Sequence, residues 1–138
     1  MKTASAKAKS RRLQTWVAKK IGELTLLPVG KDCDIESRPM GQSGADIRLS
    51  EKARELFPFT TECKNTEKWE LPKAIRQCKA NLYPNTDWLI FFDKNDCKDH
   101  KSPIVVLDAE VFFSILQRSG EENAEKKIKS QDKKAETV

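Results

Sequence analysis

The chain has 138 residues, 38% hydrophobic and 34% charged, with five Gly and six Pro. That is the size of one ordinary domain, long enough to bury roughly two-thirds of its unfolded surface without disulfide or metal staples. Its net charge of +5 is uneven: residues 1–20 carry seven basic and no acidic side chains, the remainder 19 basic against 21 acidic.

A basic excess at one end suits a polyanion such as nucleic acid, and equally a solubilising or targeting tail. No apolar run approaches the ~20 residues needed to cross a bilayer. The basic N-terminus is not followed by the apolar stretch of a signal peptide. The expectation is a protein with no membrane partner, cytoplasmic, or in the host-cell cytoplasm if the chain is viral. Cys33, Cys63, Cys78 and Cys97 stand singly, with no CxxC pair. This excludes zinc fingers and ribbons and points to reduced thiols.

Residues 1–9 are rich in Lys and Ala and are expected to form a disordered basic arm. Ser10 is placed to cap a helix to about Leu24, with Leu13, Trp16, Val17, Ile21 and Leu24 as one apolar stripe. A short strand follows over about 33–38, then the loop Pro39-Met40-Gly41-Gln42-Ser43-Gly44. Ala45–Leu49 alternates as a half-buried strand does, and so does Phe59–Lys64, with a helical turn or wide connection over 51–56. Pro72 suits the first turn of a helix whose stripe is Leu71, Ala74, Ile75, Cys78 and Leu82.

Trp88–Phe92 is apolar without alternation, as in a central strand covered on both faces. Asp93–His100 reads as a polar turn and Ile104–Leu107 as another buried strand. Asp108 is an N-cap for a helix bearing Val111, Phe112, Ile115 and Leu116, ended by Gly120. The last 18 residues, with five acids and five bases, are expected to be a mobile tail. The order α-β-β-β-α-β-β-α predicts an α/β domain with a mixed central sheet flanked by helices. It would span 10–118, with a disordered charged tail over 119–138.

Strand alternation puts Glu62 and Lys64 on one face, and Asp46 lies on a strand that the connecting loop can bring alongside. Two carboxylates and an ammonium group would then surround one point, with the Cys63 carbonyl as a further oxygen. Such a hard oxygen set suits Mg²⁺, with Mn²⁺ as a substitute. The chemistry would be phosphate polarisation and activation of water, with Lys64 orienting that water or meeting charge in the transition state. The bland reading is an exposed strand with a Glu62–Lys64 surface pair worth less than about 1 kcal/mol.

Asp46 followed by Glu62-Cys63-Lys64, in this order of elements, resembles the PD-(D/E)XK nuclease superfamily. The likeness spans about 10–107 and is nearest to the small archaeal and phage Holliday-junction resolvases. Ala45 stands where the motif name has proline. The resemblance implies a restriction-endonuclease-like core and a metal-dependent endonuclease selective for DNA structure, acting as a homodimer. Alternatives are a restriction- or repair-type nuclease on the same fold, a non-catalytic DNA-binding protein, or an α/β interaction domain with a chance motif.

Relatives often add an acid from the first helix, here Glu23, and a polar residue on the helix after the Glu-x-Lys strand, here Gln77. Either residue otherwise stands in solvent. Ser43 and Gly44 offer backbone N–H groups to a phosphate, or form an ordinary turn. Arg11, Arg12, Lys19, Lys20, Lys68, Lys73, Arg76 and Lys79 are the candidate DNA contacts, each of them by itself also a plain solvated base. Trp69 wedges against a base or staples its turn. Phe112 and Phe113 are adjacent, so one of them is free to face a partner.

Overall fold

Alanine and lysine favour helix strongly. In the computed structural model, which describes residues 4–39, 43–65, 68, 70–93 and 103–136, the first helix therefore begins well before Ser10. Helix α1 spans Ala4–Thr25, so the segment expected to be a disordered arm is helical from Ala4, and Ser10 lies inside the helix. Leu13, Val17, Ala18 and Ile21 are at most 3% exposed, whereas Trp16 and Leu24 are 38% and 69% exposed. The buried arc thus turns from Leu13 towards Gln14 and Ala18, leaving Trp16 on the opposite flank. Gly22 permits a close approach here, because a Cβ at that position would collide with the Val29 side chain.

Two units make up the chain, Met1–Val106 and Leu107–Val138. In the first, β1 (Ile35–Ser37) and β2 (Ile47–Leu49) pair antiparallel, Glu36 opposite Arg48. Helix α2 (Glu51–Leu56) follows, its first turn held by the Ser50 hydroxyl, which accepts from Ala53 N at 3.1 Å and donates to Asp34 Oδ1 at 2.6 Å. This capped helix occupies the segment read as a helical turn or a wide connection; the expected order left it out, so the order is α-β-β-α-β-α-β-β-α rather than α-β-β-β-α-β-β-α.

Strand β3 (Phe59–Lys64) runs parallel to β4 (Asp87–Phe92), joined by α3 (Leu71–Ala80), and β4 pairs antiparallel with β5 (Ile104–Val106). The described strands therefore form a two-stranded antiparallel sheet and a mixed three-stranded sheet, not one continuous central sheet. Strand β4 is central, with Ile90 and Phe92 at 0% and 2% exposure. Among the described strands β5 is an edge, and its Val105 side chain is exposed where a buried strand was expected.

One core cluster joins α1 to Ile35, Ile47, Leu49, Ala53 and Cys63; the other joins Ala74 to Ile90 and Phe92. In α3, Ala74 and Cys78 are buried as the stripe requires, but Leu82 lies beyond the helix end and is exposed.

The second unit is helix α4 (Ala109–Glu136), and Asp108 caps it by accepting from Glu110 N at 2.9 Å. The helix continues through Gly120, so the segment expected to be a mobile tail is helical to Glu136 and the unit boundary precedes the one drawn at 118. Glu122 and Glu125 each stand four residues before a lysine, a spacing that supports a helix and offsets the ~1 kcal/mol cost of one interior glycine. Trp69 lies outside the described residues, as does the polar turn read over Asp93–His100 from residue 94 onwards.

Candidate active site

Strand β3 is the spine of the site. Its alternation sends Cys63 towards α1 and Glu62 and Lys64 towards α3. Thr60 and Thr61 are fully buried, and Glu62 is only 7% exposed. An isolated charge is costly there, so the position asks for compensation.

Asp46 supplies the second carboxylate from just before β2. No ladder joins β2 to β3. Instead Asp46 Oδ2 accepts a hydrogen bond from Cys63 N at 2.8 Å, so the carboxylate itself ties the two strands together. On its other side, the Asp46 carbonyl accepts from Arg38 N at 2.9 Å. The Arg38 guanidinium donates to the Ser43 carbonyl at 2.5 Å. Gly44 has a φ of +105°, a conformation favouring glycine, and a Cβ there would come within 2.9 Å of Arg38 Nη1.

Lys64 Nζ donates to Gln77 Oε1 at 2.6 Å and stands 3.7 Å from Glu62 Oε1. Glu62 Oε2 is buried and accepts no hydrogen bond among the described residues. Burial, first, and the Asp46 charge, second, push the Glu62 carboxyl up to about 7, while Lys64 opposes them. The Asp46 side chain acts further in the same direction, because a proton on either carboxyl would let the two share a hydrogen bond. The Cys63 thiol is buried in the α1 core, and burial raises it well above its ordinary range, which suits a packing side chain rather than a thiolate ligand.

Among the described residues no group of three or more His, Cys, Asp or Glu side chains is placed to hold a metal. The Asp46–Glu62 pair has the composition of a Mg²⁺ site, because that ion takes one or two carboxylates and keeps several waters. The buried, unpaired Glu62 Oε2 is the atom such an ion would satisfy.

Next to Lys64 lies a cleft of about 280 Å³ lined by Lys64, Lys68, Lys73 and Gln77 with Phe92, and also by Glu70, whose carboxylate is 3.9 Å from Lys73 Nζ. Asp46, Glu62, Lys64 and Gln77 thus come together, with Lys68 and Lys73 alongside. Glu23 does not join them: among the described residues it is exposed on α1 and pairs there with Lys20 Nζ at 3.7 Å. Arg11, Arg12, Lys19 and Lys20 are exposed on α1, and Arg76 and Lys79 on α3. Ser43 is exposed, and its carbonyl is the group engaged. Arg38 escaped the sequence reading. The Ser43-Gly44 pair was the signal for it, since the glycine leaves room for the guanidinium.

Comparison with protein families, curated proteins and solved structures finds no match for the chain.

Proposed function

We propose that the chain is a Mg²⁺-dependent DNA endonuclease of the PD-(D/E)XK type, hydrolysing phosphodiester bonds with a preference for branched DNA. The observation that carries this reading is the convergence of Asp46 and Glu62 beside a lysine held by a glutamine. A surface ion pair needs neither a second carboxylate nor a buried, unpaired oxygen.

Asp46, Glu62 and the Cys63 carbonyl would hold the ion. When bound, Mg²⁺ polarises the scissile phosphate and lowers the pKa of nearby water. Lys64, kept in place by Gln77, meets the negative charge that develops on the phosphate oxygens as water attacks and the sugar oxygen leaves. Lys68 and Lys73 would meet adjoining phosphates along the cleft, Lys73 exchanging its exposed Glu70 partner for a phosphate. A homodimer would present two such sites to two strands.

The test is cleavage of a labelled four-way junction and a matched linear duplex in Mg²⁺ or EDTA, with Glu62→Gln in parallel. Metal-dependent paired nicks at the junction, lost in Glu62→Gln, are expected. Equal cutting of both substrates would keep the nuclease and remove the branch preference. Tight binding without cleavage would replace the enzyme with an architectural DNA-binding protein.

A further inference from the structure

Helix α1 has used its apolar stripe in the core, and its opposite face has a composition of its own. Arg12, Trp16, Lys19 and Lys20 are all exposed, Trp16 at 38%. At about 100° per residue they project within one arc of roughly 100°. Tryptophan is highly buried on average, so its place among three cations calls for a reason. Lys20 Nζ lies 5.5 Å from the Trp16 ring centroid, and the neighbouring acid is Glu23, 3.7 Å from the same ammonium.

The chemistry of this face selects among polyanions. A bilayer surface needs an apolar helix face to insert, and here Leu13, Val17 and Ile21 are at most 3% exposed within the protein. A polynucleotide matches both features present: phosphates for the cations, and a base whose flat face stacks on indole. None of the four residues lines the Lys64 cleft, so this is a separate contact.

We propose that this face of α1 binds nucleic acid bearing an unpaired base, which stacks on Trp16 while Arg12, Lys19 and Lys20 neutralise the flanking phosphates. The inference rests on the proposed nuclease function for the identity of its partner and adds that the substrate presents an unstacked base.

The experiment uses the full chain in EDTA. A labelled single strand, a blunt duplex and a duplex with a single-stranded flap are titrated at several salt concentrations. Trp16→Ala is compared with the parent, as are Trp16→Phe and the triple variant Arg12→Gln, Lys19→Gln, Lys20→Gln. Far-UV circular dichroism checks that each variant folds. Trp16→Ala is expected to weaken single-strand and flap binding by about fivefold or more, leaving blunt-duplex binding unchanged. Trp16→Phe should lose much of the tryptophan quenching seen on adding single strand while keeping most of the affinity. The triple variant should weaken every substrate and lower the slope of log K against log salt by about two to three.

Unchanged single-strand binding in Trp16→Ala overturns the proposal. So does an unchanged salt slope in the triple variant, or parent protein that binds anionic vesicles and no DNA. Cleavage is scored separately. A parent that cuts DNA with no dependence on α1 keeps the nuclease reading and sinks this one. Trp16-dependent binding by a protein that never cuts does the reverse.

Discussion

Glu36 on β1 and Glu62 on β3 each stand beside a cation, Arg48 Nε at 3.4 Å and Lys64 Nζ at 3.7 Å. The two carboxyls nevertheless shift in opposite directions. Glu36 is lowered, chiefly by the Asp32 N–H that donates to its Oε2 at 2.6 Å; burial opposes this, and Arg48 adds to the lowering. Glu62 is raised to about 7 by burial and by Asp46, and Lys64 does not reverse this. One pair is an ordinary cross-strand contact supported by a backbone donor. The other lacks that donor and faces a second carboxylate. A cation beside a carboxylate therefore says little about function by itself, whereas two carboxylates brought together in a buried place say much more.

The comparison can be broken most directly at Glu62. Glu62→Gln should lower Mg²⁺-dependent cleavage by about 10²–10³-fold, in line with losing one electrostatic contributor to a phosphoryl transition state; near-parental rates would put the two pairs on the same footing. Gln77→Ala comes next. It frees Lys64 from its 2.6 Å anchor and should slow cleavage about tenfold, with the fold retained because Gln77 is exposed.

A smaller effect sharpens the contrast through pH. A carboxyl raised from 4.5 to about 7 binds its proton more tightly in the folded protein, so its contribution to stability is complete below about pH 4.5 and is lost as pH rises through 7. In denaturant unfolding with EDTA present, Glu62→Gln should match the parent near pH 4.5, gain on it up to about pH 7, and hold a constant advantage above. Asp46→Asn should shift the midpoint of that difference to lower pH, since the Asp46 charge is the second cause of the shift.

The smallest effect is at Glu36. Its lowered carboxyl stabilises above its ordinary range and loses that contribution as pH falls, the opposite sign to Glu62. Glu36→Gln should leave cleavage unchanged and slightly lower the thermal midpoint at neutral pH, measured by circular dichroism.

Much of the site was legible because strand alternation is strict. Once Phe59–Lys64 is read as a strand, Glu62 and Lys64 must share a face. Gln77 could be placed on α3 but not on Lys64, since the bond joins residues 13 apart on two elements. Ser43-Gly44 marked a turn with room beside it, but that Arg38 fills the room was not legible, because its bond to Ser43 depends on the path of a loop. Trp16 was assigned to the wrong face of α1: residues three and four apart define a stripe, but not which edge of it the core covers.

By itself, the sequence determined the elements whose local chemistry is strong. These are the α1 stripe through Leu13, Val17 and Ile21, the strands β3 and β4, Pro72 in the first turn of α3 and the Asp108 cap. Each depends on periodicity or on bonds made within a few residues. The tertiary structure alone decided that the strands divide between two sheets, that β5 is an edge, and that Asp46 bridges to Cys63 N across 17 residues of chain. It also decided that Glu62 is buried against Asp46 and not exposed like an ordinary strand acid. Those outcomes depend on which surfaces meet after collapse, and desolvation and charge proximity exist only once they have met.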